Sequence, residues 1–182
     1  LMLVPKKERN PYITTSFGTG ELILDALNHG VTKIILGIGG SATNDGGVGM
    51  IQALGGRFLN SDEGILPLGG KALSNLATID LSDLDPRIAQ CEFEIACDVD
   101  NPLTGERGAS VIFGPQKGAT PEMVKVLDYA LYNYAMILGE YFDIDINSIK
   151  GSGAAGGMGA ACVTFLKGTL RAGVEIVDRK ST

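Results

Sequence analysis

The 182 residues contain no tryptophan and a single histidine, His29. With so little histidine, a Cys/His zinc site is close to excluded. Ser–His–Asp hydrolysis fares no better, because no Gly-x-Ser-x-Gly elbow occurs either. Cysteine is sparse and odd in number, at Cys91, Cys97 and Cys162, with no Cys-x-x-Cys pair. Together with the lack of a signal-like apolar segment, this predicts a reduced, cytoplasmic setting. No apolar run approaches the roughly 20 residues of a membrane span. Basic charge is also short. The net charge of −6 and the absence of a basic stripe argue against nucleic-acid and anionic-membrane partners. The tracts "PKKER" and "DRKST" read as solvated surface. No Gly-x-x-x-x-Gly-Lys-Ser/Thr sequence is present, so any phosphate site is not of the Walker type.

Glycine is abundant, with 26 residues and no triplet period. The segment "ILGIGGSATNDGGVGM" over 35–50 holds six of them in sixteen positions. Ahead of it, 19–29 has helical spacing, with Thr19 as the expected cap and Gly30 as the stop. The continuous apolar run "TKIILGI" over 32–38 predicts a strand buried on both faces. Helical spacing resumes through Val48, Ile51 and Leu54. "GRFLNSDEGILPL" reads as two short strands about a turn at 61–64, and "GGKALSNLATI" as a short helix. "EFEIACDVDNPLTG" is a second strand leading into an acidic loop. A long helix is expected from the Thr120 cap and Pro121 to about Phe142, with Met123, Leu127, Ala130, Tyr134, Ile137 and Tyr141 facing inward. A second glycine-rich helix entry, "GSGAAGGMGAACVTFL", follows at 151–166, and "GVEIV" reads as a last strand. Strands alternating with helices predict one α/β domain over 1–182, with a mixed or mostly parallel sheet.

Consecutive glycines before a helix free backbone N–H groups to converge on an anion. Gly39, Gly40, Ser41, Ala42 and Thr43 suit that role, with Asn44, Gly46 and Gly47 continuing the loop. Asp45, Asp98 and Asp100 are the carboxylates suited to Mg²⁺, which commonly takes one or two of them plus substrate phosphates. Lys117 and Arg107, in glycine-containing loops, are candidates to neutralise phosphate or carboxylate charge. Gly151, Gly153 and Gly156 have the spacing of a dinucleotide loop, but the polar "DIDINSIK" before them makes a poor buried strand. Close packing of helix on strand explains such glycines equally well.

Six segments, "SFGTGELI", "ILGIGGSATNDGGVGM", "ALGGRFL", "ACDVDNPLTGERGAS", "FGPQKGATPEMV" and "GSGAAGGMGAA", resemble in order the bacterial type I glycerate kinases. The resemblance implies two α/β domains about a cleft where glycerate meets Mg-ATP, with this chain as the central portion. The family's N-terminal Asp-Ser-Phe-Lys and C-terminal Thr-Gly-Glu-Gly stretches are absent, so the isolated 182 residues are expected to be inactive. It places Gly39, Gly40, Ser41, Asp45, Gly46 and Gly47 on the glycine-rich signature, and Asp98, Asp100 and Asn101 on the acidic loop. Gln116 and Lys117 fall on the Gly-Pro-Gln-Lys segment. The resulting expectation is transfer of the ATP γ-phosphoryl group to D-glycerate, giving 2-phosphoglycerate or its 3-isomer. Asp45, Asp98 and Lys117 are the catalytic candidates, and Asp98 and Asp100 the metal candidates. Gly153, Gly156, Gly157, Asn101, Arg107 and Gln116 join the first loop as binding candidates. Which glycine loop takes ATP stays open, as does a homo-oligomer. The alternatives are a noncatalytic binding or assembly module and a dinucleotide-dependent oxidoreductase.

Overall fold

A computed structural model describes residues 1–178, and the closing basic tract read from the sequence lies almost wholly outside them. In chain order the elements are α1 (Phe17–Asn28), β1 (Lys33–Gly37), α2 (Val48–Ala53), β2 (Arg57–Leu59), β3 (Thr78–Asp80) and β4 (Glu92–Ala96). There follow α3 (Ala109–Phe113), α4 (Pro121–Phe142), α5 (Ala154–Thr164), β5 (Thr169–Arg171) and α6 (Gly173–Asp178). Strands β1, β4 and β5 form a parallel sheet in the order β1-β4-β5, and β2 and β3 form an antiparallel pair. The α/β expectation therefore holds.

The parallel sheet buries one face. Ile34 and Leu36 of β1, Phe93 and Ile95 of β4 and Leu170 of β5 point into or against one continuous core, which also takes in Ile23 of α1, Leu131 and Tyr134 of α4, and Ala160 of α5. On the opposite face Ile35 is 42% exposed, and Lys33 reaches across to Glu92 and Glu94 at 2.9 and 3.1 Å. This corrects the expectation that β1 is buried on both faces: its outer side carries the exposed Ile35 and Lys33, although Glu94 beside them on β4 is only 7% exposed. A continuous apolar run cannot report whether both layers are supplied by the same stretch of chain.

Four other readings shift. Helix α1 begins at Phe17, not after Thr19, because the Ser16 hydroxyl that precedes it is engaged with Asp45 instead of capping the helix. The second strand expected around the 61–64 turn is only a single bridge, Leu59 to Ile65, and β2 finds its ladder partner in β3. "GVEIV" is helical, as α6, and the last strand is the short "TLR" before it. Finally, α4 has its expected Thr120 cap, with Thr120 Oγ1 accepting from Met123 N, and the expected Leu127, Ala130 and Tyr134 are buried together with Leu131, Ala135 and Leu138, whereas Met123 and Ile137 are only half-buried. Tyr141 is 47% exposed, since the core ends before the last turn of the helix.

Candidate functional site

Strands β1 and β4 run side by side in register, Gly37 opposite Ala96, and so deliver their carboxyl ends to one place. The chain leaves β1 through Ile38, Gly39, Gly40 and Ser41, and leaves β4 through Cys97, Asp98 and Val99. Between these ends lies a cavity of about 170 Å³, closed below by Phe113, Gln116 and Lys117 and at its side by Ala154 and Ala155. Ligands of open parallel sheets gather at this end of the strands.

Lys117 is the principal charge on the wall. Its side chain is 2% exposed, and Nζ donates to Ser41 Oγ at 3.0 Å and to the Thr43 carbonyl at 2.6 Å. Burial pushes its pKa down to about 8, with the negative charge of Asp45 opposing the shift. A buried ammonium hydrogen-bonded to a hydroxyl and a carbonyl oxygen favours an anion alongside it.

Asp98 lies on the cavity rim, where Oδ1 accepts from Gly173 N at 2.8 Å, at the start of α6. Asp98 also borders a second, open cleft of about 470 Å³ with Val99, Asp100 and Asn101. Asp100 accepts from Arg107 Nη2 at 2.8 Å, while Asn101 Nδ2 donates to the Arg107 carbonyl, closing the acidic loop on itself.

The remaining candidates sit elsewhere. Asp45 is 1% exposed and accepts from Ser16 N at 2.7 Å, Ser16 Oγ at 2.8 Å, Thr15 Oγ1 at 3.2 Å and Gly47 N at 3.3 Å. It fastens the glycine loop to the start of α1. Asn44 donates to Ser110 Oγ in the interior, and Ala42 accepts from Thr14 Oγ1 through its carbonyl.

The glycines divide cleanly. A side chain on Gly46 would meet the Tyr134 ring, and one on Gly47 the α5 residues Met158 and Ala161. One on Gly153 would overlap the Pro102 carbonyl, one on Gly156 the Thr43 carbonyl, and one on Gly157 the backbone of Gly46. These five permit backbone to approach backbone, and Gly46 N donates to the Gly156 carbonyl at 2.9 Å to seal the contact. Gly151, the first glycine of the dinucleotide-like spacing, is likewise packed against Cys97 and Val99, and the segment before it is a 3₁₀ turn, not a strand. At Gly39 and Gly40, by contrast, an added Cβ would meet nothing within 4 Å.

Sequence reasoning missed Cys97, Val99, Phe113, Ala154 and Ala155, which carry no motif-level signal. The Cys97 thiol donates to the Val99 carbonyl, and burial pushes its pKa up, so it lines the wall as an unreactive group.

Fold and cavity together define an α/β protein with a small cavity, walled in part by the buried Lys117, at the carboxyl ends of parallel strands. The profile of the glycerate kinase family matches residues 1–181, and the chain belongs to that family. It is 56% identical to a glycerate kinase of Bacillus cereus over 97% of this chain and 46% of that protein. Against the glycerate 2-kinase of Escherichia coli K12 it is 53% identical over the same shares. A crystal structure described as a glycerate kinase 2 from Salmonella typhimurium LT2 superposes with a TM-score of 0.94 at 55% identity, covering 97% of this chain and 47% of that one. The chain thus spans about half the length of the curated relatives it matches.

Proposed function

We propose that this chain carries the substrate-side half of a glycerate kinase, which phosphorylates D-glycerate at the expense of ATP to give 2-phosphoglycerate. The observation behind this reading is the buried ammonium of Lys117 beside the open amides of Gly39 to Ser41, in a family whose named relatives are glycerate kinases. Phosphoryl transfer asks a protein mainly for positioning and charge neutralisation, which this wall supplies without a nucleophile.

In the reaction the glycerate hydroxyl oxygen bonds to the γ-phosphorus as the bond from that phosphorus to the β,γ-bridging oxygen breaks, and ADP leaves. Asp98, whose Oδ2 is not engaged by Gly173, takes the hydroxyl proton. Lys117 holds negative charge in place, and Asp45 keeps the loop that carries Ser41 in its conformation. Among the described residues no group of three or more acids, histidines or cysteines could cage a metal. Asp100 and Asp98 on the same open cleft suit a Mg²⁺ that arrives with the nucleotide and needs only one or two protein carboxylates. When bound there, the ion would neutralise charge on the phosphates.

ADP release with D-glycerate, measured on this chain alone and on the chain within a family-length polypeptide, tests the reading. Turnover is expected only in the longer protein. There, Asp98→Asn is expected to lower kcat by about 10²-fold or more, and a kcat within threefold of wild type would remove Asp98 from its role.

A further inference from the structure

The two cavities that meet at Asp98 differ in size, depth and charge. The inner one, at about 170 Å³, is below the roughly 300 Å³ at which pockets for larger organic ligands begin. It suits a three-carbon acid better than a nucleoside. Its wall carries the Lys117 ammonium, nine-tenths buried and within 3.0 Å of Ser41 Oγ, with Asp98 at the rim. The outer cleft, at about 470 Å³, is open and carries Asp98 and Asp100, the latter paired with Arg107, a setting that suits an anion accompanied by a cation better than a bare one.

Gly39 adds an independent observation. Its backbone needs no left-handed φ, and a Cβ there would meet nothing within 4 Å, so neither backbone geometry nor packing accounts for glycine at this position. What its missing side chain leaves open is the inner cavity, beside the loop amides. The second glycine segment contributes to the same wall through Ala154 and Ala155, while its glycines are consumed in packing, Gly156 and Gly157 against residues 43–46 and Gly153 against Pro102.

We propose that both glycine-rich segments build one small site for the acceptor acid, and that neither binds ATP. The carboxylate of glycerate lies in the inner cavity against Lys117 and the Gly39–Ser41 backbone, with its hydroxyl turned to Asp98. The nucleotide approaches through the outer cleft. This inference rests on the kinase reading and divides its two substrates between the two cavities.

Calorimetric titration of the 182-residue chain with D-glycerate, Mg-ATP and inorganic phosphate, each alone and then in pairs, tests it. D-glycerate is expected to bind whether or not Mg-ATP is present, and more tightly than phosphate. Gly39→Ala is expected to weaken D-glycerate at least tenfold, because the added methyl enters the cavity. Mg-ATP affinity and Tm should not move, since the methyl touches nothing in the fold. Competition between Mg-ATP and D-glycerate, a Gly39→Ala defect confined to Mg-ATP, phosphate binding more tightly than glycerate, or no binding of D-glycerate by the wild-type chain would each overturn the assignment. The kinase reading fails on a different result, absence of ADP release from the family-length protein, which leaves the binding outcome to stand or fall by itself.

Discussion

Lys117 shows how one residue pulls stability and function in opposite directions. Its folded pKa of about 8 lies below the ordinary 10.5. Between those values the unfolded chain holds a proton that the folded chain has lost, so this residue's contribution makes the fold more stable as pH rises from about 8 to about 10.5. An anion against Lys117 needs the proton, so D-glycerate affinity is expected to fall over the first part of that window. Urea unfolding and glycerate titration at pH 7 and pH 9 should move oppositely, and Lys117→Met should remove the Lys117 part of both trends. Asp45 offers the contrasting residue. Asp45→Ala strips the acceptor from the buried Ser16 N–H and hydroxyl, and is expected to cost about 3 kcal/mol by urea unfolding. The type of residue at these positions was legible in the sequence, but not the job: "GGSATND" reads as one loop, yet Ser41 lines a cavity and Asp45, four positions on, is sealed inside. That difference is set by Ser16, a partner far away in the chain, and no local spacing reveals it.

Among the elements, α5 departs furthest from regular geometry. Ala155, Gly156 and Gly157 all have left-handed φ, of 54°, 73° and 91°, so the helix proper starts only after a reversed turn. Glycine takes such angles freely, whereas alanine pays about 1–2 kcal/mol. Ala155→Gly is therefore expected to raise stability by about 1 kcal/mol in urea unfolding, despite the larger entropy of the unfolded chain. Gly153→Ala should do the reverse by about 3 kcal/mol or more, because the new methyl meets the Pro102 carbonyl, which is backbone and cannot swing away. A circular dichroism melt separates these two from Gly39→Ala, which leaves Tm in place. Helix existence was readable here from the glycine-rich entry and the small-residue run that follows it. The reversed turn was not, because a run of glycines is equally consistent with a phosphate loop, a hinge and a close backbone crossing. Only the neighbours of each Cα distinguish these.

At the scale of the molecule, alternation of strand and helix disclosed the α/β class with a mixed or mostly parallel sheet, while the pairing of β1 with β4 came only from the structure. It could not disclose that Ile35 of β1 lies on a partly exposed face, since Ile34 and Ile35 are the same residue type on opposite faces. Because Ile35 is 42% exposed, Ile35→Thr should change the stability of this chain by no more than about 0.5 kcal/mol, whereas a buried isoleucine such as Ile95 would cost several times that. Thermal melts of the two variants check the contrast. The bond from Gly46 N to the Gly156 carbonyl joins segments that lie far apart along the polypeptide. During synthesis the earlier of them leaves the ribosome long before its counterpart exists. The cavity wall, which takes Ala154 and Ala155 from that later stretch, is complete only once the stretch has emerged.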